Sequence, residues 1–109
     1  MVYIGSLEYD ESIKKAEKII IFGGGSMLIR LFKQLEHLDL MEKIVAICDN
    51  DIAMQGKEVQ GILVLEPRYA CQKYKDGDYI VYNQYFMEIC EQLRENHISK
   101  IHLVRQGSL

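Results

Sequence analysis

A run of three glycines and a serine, residues 23–26, is the part of this 109-residue chain whose residue types most clearly favour ligand chemistry. It follows an apolar run, Ile19–Phe22, and precedes a segment with helical periodicity. Glycines at such a strand-to-helix turn let backbone N–H groups approach a pyrophosphate, and the positive end of the helix dipole favours negative charge. The predicted phosphate-binding residues are Gly23, Gly24, Gly25, Ser26 and Met27.

The glycine spacing follows the dinucleotide-binding fingerprint G-x-G-x-x-G only in part. Gly23 and Gly25 occupy the first two glycine positions, whereas Leu28 stands at the third, where a small residue normally allows close packing of helix on strand. We expect free N–H groups at Ser26, Met27 and Leu28 to remain available to an anion. Because a helix dipole contributes only about 0.3–1 kcal/mol at an exposed site, a ligand needs further contacts.

Asp49 is the first candidate for such a contact, since it ends a second apolar run, Ile44–Cys48, 24 residues after Gly25. An acidic residue about 20 residues beyond the glycines typically binds ribose hydroxyls. A carboxylate there repels a 2′-phosphate, so Asp49 favours NAD or a nucleotide sugar over NADP. Asn50 is expected beside it and Asp51 is the alternative acid. A plain Asp-Asn-Asp turn is the competing interpretation.

A second polar corner, Asn83 and Gln84, follows another apolar run at residues 79–82. In open parallel sheets the ligand crevice lies at the carboxyl ends of the strands, where the strand order reverses. We therefore expect Asn83, Gln84 and the following Tyr85 to contact a base, a sugar or a diphosphate. The alternative is that Asn83 only caps the next helix and Tyr85 lies at the surface.

Strands and helices alternate along the chain, which predicts an α/β fold with helices on both faces of a sheet. Right-handed crossovers then give a Rossmann-like three-layer sandwich with a mostly parallel, five-stranded sheet in the order 3-2-1-4-5. We expect an N-terminal helical extension at residues 1–17, with a helix from Ser6 to Lys18, and a single nucleotide-binding domain at residues 18–109. The N-terminal helix is predicted from a stripe of apolar residues, Leu7, Ile13 and Ala16. The predicted strands are 19–22, 44–48, 62–65, 79–82 and 101–104.

Two further helices are predicted from helical periodicity. The first runs from Ser26 to about Leu38, and its apolar face is Leu28, Leu31, Phe32, Leu35 and Leu38. The second follows Asn83, and its expected buried face is Phe86, Ile89, Cys90 and Leu93.

Composition and charge exclude several classes of partner. The net charge is −3, and the one loose basic cluster, Lys14, Lys15 and Lys18, is interrupted by acidic residues, which argues against nucleic-acid binding. No apolar run is long enough to span a membrane and no signal peptide is evident, so a cytoplasmic location is expected. The three cysteines are predicted to be reduced, mostly buried thiols without metal.

Three segments together carry a resemblance to a known group of domains. They are I-I-I-F-G-G-G-S at residues 19–26, I-V-A-I-C-D-N-D at 44–51 and G-K-E-V-Q-G-I-L-V-L-E-P at 56–67. This order resembles small Rossmann-like domains of bacterial glycan assembly, found at the N-terminus of nucleotide-sugar acetyltransferases and beside sugar methyltransferases and glycosyltransferases. The resemblance implies nucleotide-sugar binding, with Gly23 and Gly25 under the diphosphate and Asp49 near the ribose or base.

The resemblance also implies that catalysis lies outside this chain, because the catalytic histidine of those acetyltransferases belongs to a separate β-helix domain. The favoured interpretation is a non-catalytic binding module of a larger polysaccharide-biosynthesis enzyme. An NAD-dependent reductase is one alternative, for which Tyr69 and Lys73 have the required four-residue spacing. A structural domain that forms a homodimer is the other. Its candidate contacts are Tyr3, Tyr9, Tyr74 and Met87.

Overall fold

A seven-stranded sheet organises the computed structural model, which describes residues 1–105. The strands are β1 (Val2–Gly5), β2 (Ile19–Phe22), β3 (Ile44–Cys48), β4 (Glu58–Val59), β5 (Ile62–Leu65), β6 (Asp78–Val81) and β7 (Ile101–Val104). The α-helices are α1 (Glu11–Lys14), α2 (Leu28–His37), α3 (Pro67–Lys73) and α4 (Phe86–Glu95), with 3₁₀ turns at Leu7–Tyr9 and Met41–Lys43. In this part of the chain no helix has the length and hydrophobicity to cross a membrane.

The strands lie in the order β1-β7-β6-β2-β3-β5-β4, and all neighbours are parallel except the antiparallel pair β4 and β5. All four residues of the central strand β2 are buried, because both faces of the sheet are covered. Ile19 and Ile21 pack into one core cluster together with the apolar face of α2. Ile20 and Phe22 pack into a second cluster on the opposite face, with residues of α3 and α4.

The prediction of a five-stranded sheet is correct only in part. The five predicted strands are neighbours in the observed sheet, but β1 and β4 extend it at the two edges. Strand β4 forms a short hairpin with β5 through Gln60 and Gly61, whose φ angles are 51° and 81°. Two residues with positive φ make the tight turn that matches strand twist. A two-residue strand, Glu58–Val59, is too short to leave an apolar run in the sequence.

The predicted N-terminal helix from Ser6 to Lys18 is wrong, and residues 1–17 do not form a helical extension. Residues 2–5 form β1, which pairs in parallel with β7. A single helical turn, α1, begins after Asp10, whose Oδ1 accepts the N–H of Ile13 at 3.0 Å. The carboxylate of Asp10, rather than the hydroxyl of Ser6, therefore caps the helix, and it does so too late for a long helix to form.

The apolar residues that suggested this helix are instead core residues. Leu7, Ile13 and Ala16 are buried in the same cluster as Ile19 of β2. The N-terminal segment therefore completes the core of the sheet rather than standing apart from it.

The two long helices bury much of the faces predicted for them. Helix α2 begins at Leu28 rather than at Ser26, and its buried side chains are Leu28, Leu31, Phe32 and Leu35. In α4, Ile89 and Leu93 are buried, but Phe86 is 44% exposed, contrary to expectation. Phe86 is the first residue of α4 and lies beyond the edge of the core. The predicted burial of the free cysteines is confirmed for Cys48 and Cys71, and Cys90 is half-buried.

Candidate functional site

The glycine turn begins as an extension of strand β2. The N–H of Gly23 donates to the carbonyl oxygen of Cys48 at 2.7 Å, which continues the pairing of β2 with β3 by one residue. Gly23 has a φ of +111°, a backbone conformation that side chains rarely permit. A Cβ atom at this position would also lie 3.1 Å from Nδ2 of Asn83. The fold therefore requires glycine at position 23.

Asp49 fastens the next residue of the turn. Its Oδ2 accepts the N–H of Gly24 at 2.8 Å, and its Oδ1 accepts the N–H of Asp51 at 2.9 Å. A Cβ atom on Gly24 would lie 3.1 Å from Cε of Met54, so this position is crowded as well. Asp49 thus joins the end of β3 to the glycine turn, and the predicted Asp-Asn-Asp turn forms around the same carboxylate.

Tyr82 holds the turn from the other side, a role that we did not predict for it. Its hydroxyl donates to the carbonyl oxygen of Gly23 at 2.7 Å. Burial, together with the nearby carboxylate of Asp49, raises the pKa of Tyr82, so the hydroxyl stays protonated. A tyrosine directly after a buried strand, next to Asn83, is the sequence signal that could have identified it.

A crevice of about 490 Å³ lies between the glycine turn and the corresponding turn after β6. Eight of the nine predicted site residues line it: Gly23, Gly25, Ser26, Met27, Asp49, Asn50, Asn83 and Gln84. Gly24 does not line the crevice and is held beneath it by Asp49. Other lining residues are Phe22, Tyr82, Tyr85, Glu88, Ile89 and Gln92, several of them on α4.

Two N–H groups of the glycine turn face no acceptor in the described part of the chain. Leu28 was expected to offer a third, but its N–H donates to the carbonyl oxygen of Gly25 at 3.1 Å as α2 begins. Among residues 1–105, no acceptor contacts the N–H of Ser26 or of Met27. Both precede the first residue of α2, where the helix dipole adds positive potential. The turn therefore retains two donors for an anion.

Gly25 is the glycine that the fold does not explain. Gly5, Gly23, Gly56 and Gly61 adopt positive φ angles, and a Cβ atom on Gly24 or Gly77 would crowd a neighbour. At Gly25 φ lies outside the left-handed range, and a Cβ atom would meet no heavy atom within 4 Å. Of the seven glycines in the part of the chain that the structure describes, this one alone has neither constraint.

Side-chain amides shape the turn after β6 and join α4 to the end of β3. Oδ1 of Asn83 accepts the N–H of Tyr85 at 2.9 Å, and α4 begins only at Phe86, so Asn83 shapes the turn without being the N-cap residue of α4. Asn50 and Gln92 form two reciprocal amide hydrogen bonds of 2.9 Å, which join the end of β3 to α4.

The groups suggested for catalysis do not gather in the crevice. Tyr69 and Lys73, the spacing considered for a reductase, lie on α3 and do not line it. Burial raises the pKa of the Cys48 and Cys71 thiols, which favours their protonated form. Within residues 1–105, no three His, Cys, Asp or Glu side chains are arranged to hold a metal ion.

A buried cluster elsewhere in the sheet was missed. His102 of β7 contacts Oδ2 of Asp10 through Nδ1 at 2.5 Å and Oδ2 of Asp78 through Nε2 at 2.8 Å. Burial alone lowers the pKa of His102, but the hydrogen bonds to the two carboxylates outweigh it and raise the pKa above 6.5. The imidazolium form can donate to both carboxylates at once.

Two solved structures share this fold. The chain is 17% identical to UDP-D-quinovosamine 4-dehydrogenase from Vibrio fischeri, with a TM-score of 0.58, covering 79% of this chain and 75% of that one. It is 16% identical to RSP, a Rex-family repressor, with a TM-score of 0.60, covering 85% of this chain and 47% of that one. At such low identity these similarities establish a Rossmann-like α/β fold.

The sequence comparisons differ in outcome. No curated protein sequence matches the chain. A family described as C2185-like, N-terminal, matches residues 15–104, which include every strand of the sheet except β1. Because this match covers most of its length, the chain belongs to the C2185-like, N-terminal family.

Proposed function

We propose that the crevice binds a nucleotide, with a nucleotide sugar or NAD as the preferred ligand and the diphosphate lying against the glycine turn. The observation that carries this proposal is Gly25. Its backbone conformation tolerates a side chain and nothing in the protein crowds it, so the fold alone does not require glycine there. A ligand that approaches the backbone closely supplies the missing reason, since any side chain would occupy the same space.

The donors around Gly25 fit an anion. The N–H groups of Ser26 and Met27 lie just before the first residue of α2 and have no acceptor among residues 1–105. Two such hydrogen bonds and the helix dipole favour a phosphate group over a neutral one. Asp49 and Tyr82 fix the turn from two sides, so the donors are held in place before a ligand binds.

Asp49 is proposed to contact the ribose as well as to hold the turn. Each of its carboxylate oxygens accepts one backbone N–H, and each has a further lone pair for a hydroxyl donor. Its negative charge disfavours the 2′-phosphate of NADP. Asn50 lies beside it, and Asn83 and Gln84 face the opposite wall of the crevice, where a base or a sugar would lie.

We further propose that the chain is a binding module of a bacterial enzyme of glycan or polysaccharide biosynthesis, and that it does not itself catalyse the reaction. The fold likeness to a Vibrio fischeri protein named as a UDP-sugar dehydrogenase supports a nucleotide-sugar ligand. The favoured role is binding because Tyr69 and Lys73, the pair considered for a reductase, lie on α3 outside the crevice.

A thermal-shift series on the purified chain tests the proposal. The ligands are NAD, NADP, UDP, UDP-N-acetyl sugars, CDP, coenzyme A and S-adenosylmethionine. A ligand at about 100 times its Kd stabilises the folded state by roughly 2.7 kcal/mol. For a domain of this size that raises Tm by on the order of 10 °C. We expect one nucleotide class to do so, with NAD or a UDP sugar ahead of NADP.

Substitutions at Gly25 test whether the ligand-dependent rise in Tm depends on the glycine turn. We expect Gly25→Ala to weaken the ligand-dependent shift and Gly25→Val to abolish it, while both leave Tm without ligand nearly unchanged. The matched control is Ser99→Val, which places the same valine side chain at an exposed position on the opposite edge of the sheet. The proposal fails if no nucleotide at millimolar concentration raises Tm, or if Gly25→Val keeps the full shift.

A further inference from the structure

A second cavity, of about 450 Å³, lies at the amino ends of the strands, on the opposite edge of the sheet from the glycine turn. Three connections form it: the segment that leads into β2, the turn between α3 and β6, and the residue before β7. Five of the chain's 13 lysine and arginine residues line this cavity, which we call the lysine cavity. They are Lys15, Lys18, Lys73, Lys75 and Lys100.

The lysine cavity contains more positive than negative side chains, five lysines against three acidic residues. Glu17, Asp76 and Asp78 also line it, yet within residues 1–105 none of the five ammonium groups is within ion-pair distance of a carboxylate. Asp78 is buried and hydrogen-bonded to His102. Lys100 donates to the backbone oxygen of Asp76 at 3.2 Å rather than to its carboxylate.

Two of the lysines are brought close to the same aromatic ring. Nζ of Lys18 lies 5.9 Å from the ring centroid of Tyr74, and Nζ of Lys73 lies 5.6 Å from it. Both ammonium groups therefore make cation–π contacts with Tyr74, and these contacts leave their N–H donors without an anionic partner. Five lysines around a concave surface, with no acidic partner in contact, therefore favour an anionic ligand.

We propose that the lysine cavity binds a small phosphate-bearing anion of the diphosphate type. An ammonium group offers three donors and a point charge, which suits phosphate oxygens. A small anion fits better than a nucleic acid, because Glu17 and Asp76 line the cavity and the chain carries a net charge of −3, both of which repel a long polyanion. The lysine cavity shares no residue with the glycine-turn crevice, so the two sites are separate in space.

The test is a titration of the ¹⁵N-labelled chain with sodium pyrophosphate, followed by amide chemical shifts. We expect saturable shifts at residues 15–18, 73–78 and 99–101, with an apparent affinity that falls as salt is added. The double variant Lys18→Ala, Lys100→Ala should weaken binding at these amides about fivefold or more. The matched control, Lys33→Ala with Lys57→Ala, removes the same charge at exposed positions outside the cavity and should leave the affinity unchanged.

A further variant separates this site from the crevice. Gly25→Val should leave the shifts around the lysine cavity intact, even if pyrophosphate also binds at the glycine turn. The proposal is overturned if no saturable shifts occur there at millimolar pyrophosphate, or if the control variant weakens binding as much as the cavity variant. It is also overturned if an oligonucleotide binds through these lysines more tightly than pyrophosphate does.

Discussion

The glycine turn and the Asp10–His102–Asp78 cluster are both built from polar groups next to the sheet, and they differ in how their hydrogen bonds are satisfied. At the glycine turn, Asp49 is half-buried, and the N–H groups of Ser26 and Met27 face no acceptor within the residues that the structure describes. In the cluster, His102 and Asp10 are fully buried, and each ring nitrogen of His102 has a carboxylate partner.

Because of this difference, the glycine turn has donors available for a ligand, whereas the cluster stabilises the fold. A buried network whose members are all paired makes the structure more rigid. Asp10 illustrates this, since its Oδ1 accepts from both Ile13 and Ser12 while its Oδ2 contacts His102. Unpaired N–H donors beside an open crevice, in contrast, are available to a ligand.

The largest expected effect on stability comes from removing the imidazole of His102 from the Asp10–His102–Asp78 cluster. His102→Ala leaves the carboxylates of Asp10 and Asp78 buried without their shared donor, and breaking such a pair costs about 3–5 kcal/mol of unfolding free energy. Urea denaturation followed by circular dichroism measures the loss. His37→Ala, at the exposed end of α2, is the control and should change stability little. Similar unfolding free energies for the two variants would contradict a structural role for the cluster.

A change of pH should weaken the same cluster without a mutation. The pKa of His102 is raised above 6.5 in the folded chain, so its protonated form contributes stability that is fully present below pH 6.5. That contribution is lost as pH rises through the folded pKa, because neutral imidazole donates only one hydrogen bond. Tm measured at a series of pH values above 6.5 should fall in the parent chain and in His37→Ala. We expect a smaller fall in Tm in His102→Ala. An equal fall would argue against His102 as the group whose titration lowers the stability.

A third effect on stability distinguishes Gly23 from Gly25 in the glycine turn. Gly23→Ala introduces a side chain at a φ of +111° and 3.1 Å from Asn83, which should cost about 1–3 kcal/mol of unfolding free energy. Gly25→Ala meets neither constraint and should change stability by no more than about 0.5 kcal/mol. Urea denaturation of the two variants compares them directly. Equal losses would mean that Gly25 is also required by the fold.

The smallest expected effect concerns the hydroxyl of Tyr82. Tyr82→Phe removes the hydrogen bond to the carbonyl oxygen of Gly23 and should cost about 0.5–1.5 kcal/mol. Tyr85→Phe, on a side chain that is 60% exposed, is the matched control and should cost less. If the control loses as much stability as Tyr82→Phe, the hydroxyl does not fasten the glycine turn.

Local patterns in the sequence were sufficient to predict most of the crevice. Short apolar runs marked the central strands, and parallel strands bring their carboxyl ends to one edge, so the turns after β2, β3 and β6 had to meet. Gly23, Asp49 and Asn83 were predicted from that reasoning and do lie together. Their binding role stays a prediction.

The features that were missed depend on contacts between distant residues. His102 lies 92 residues from Asp10 and 24 from Asp78, and no periodicity relates the three. The role of Tyr82 likewise rests on a contact across 59 residues. The N-terminal segment was misjudged because Leu7, Ile13 and Ala16 suggest a helix by spacing, while strand β1 depends on β7 as its pairing partner.

The pairing of β1 with β7 also has a consequence for how the chain folds. Val2 lies opposite Ile101 and Gly5 opposite Val104, so β1 is made long before its partner and pairs with it only when nearly all of the described chain has emerged. Until then Leu7 and Ile13 have no complete core to enter, and closing so long a loop is costly in entropy. Such non-local pairing slows folding, and we expect β1 to be the strand that joins the sheet last.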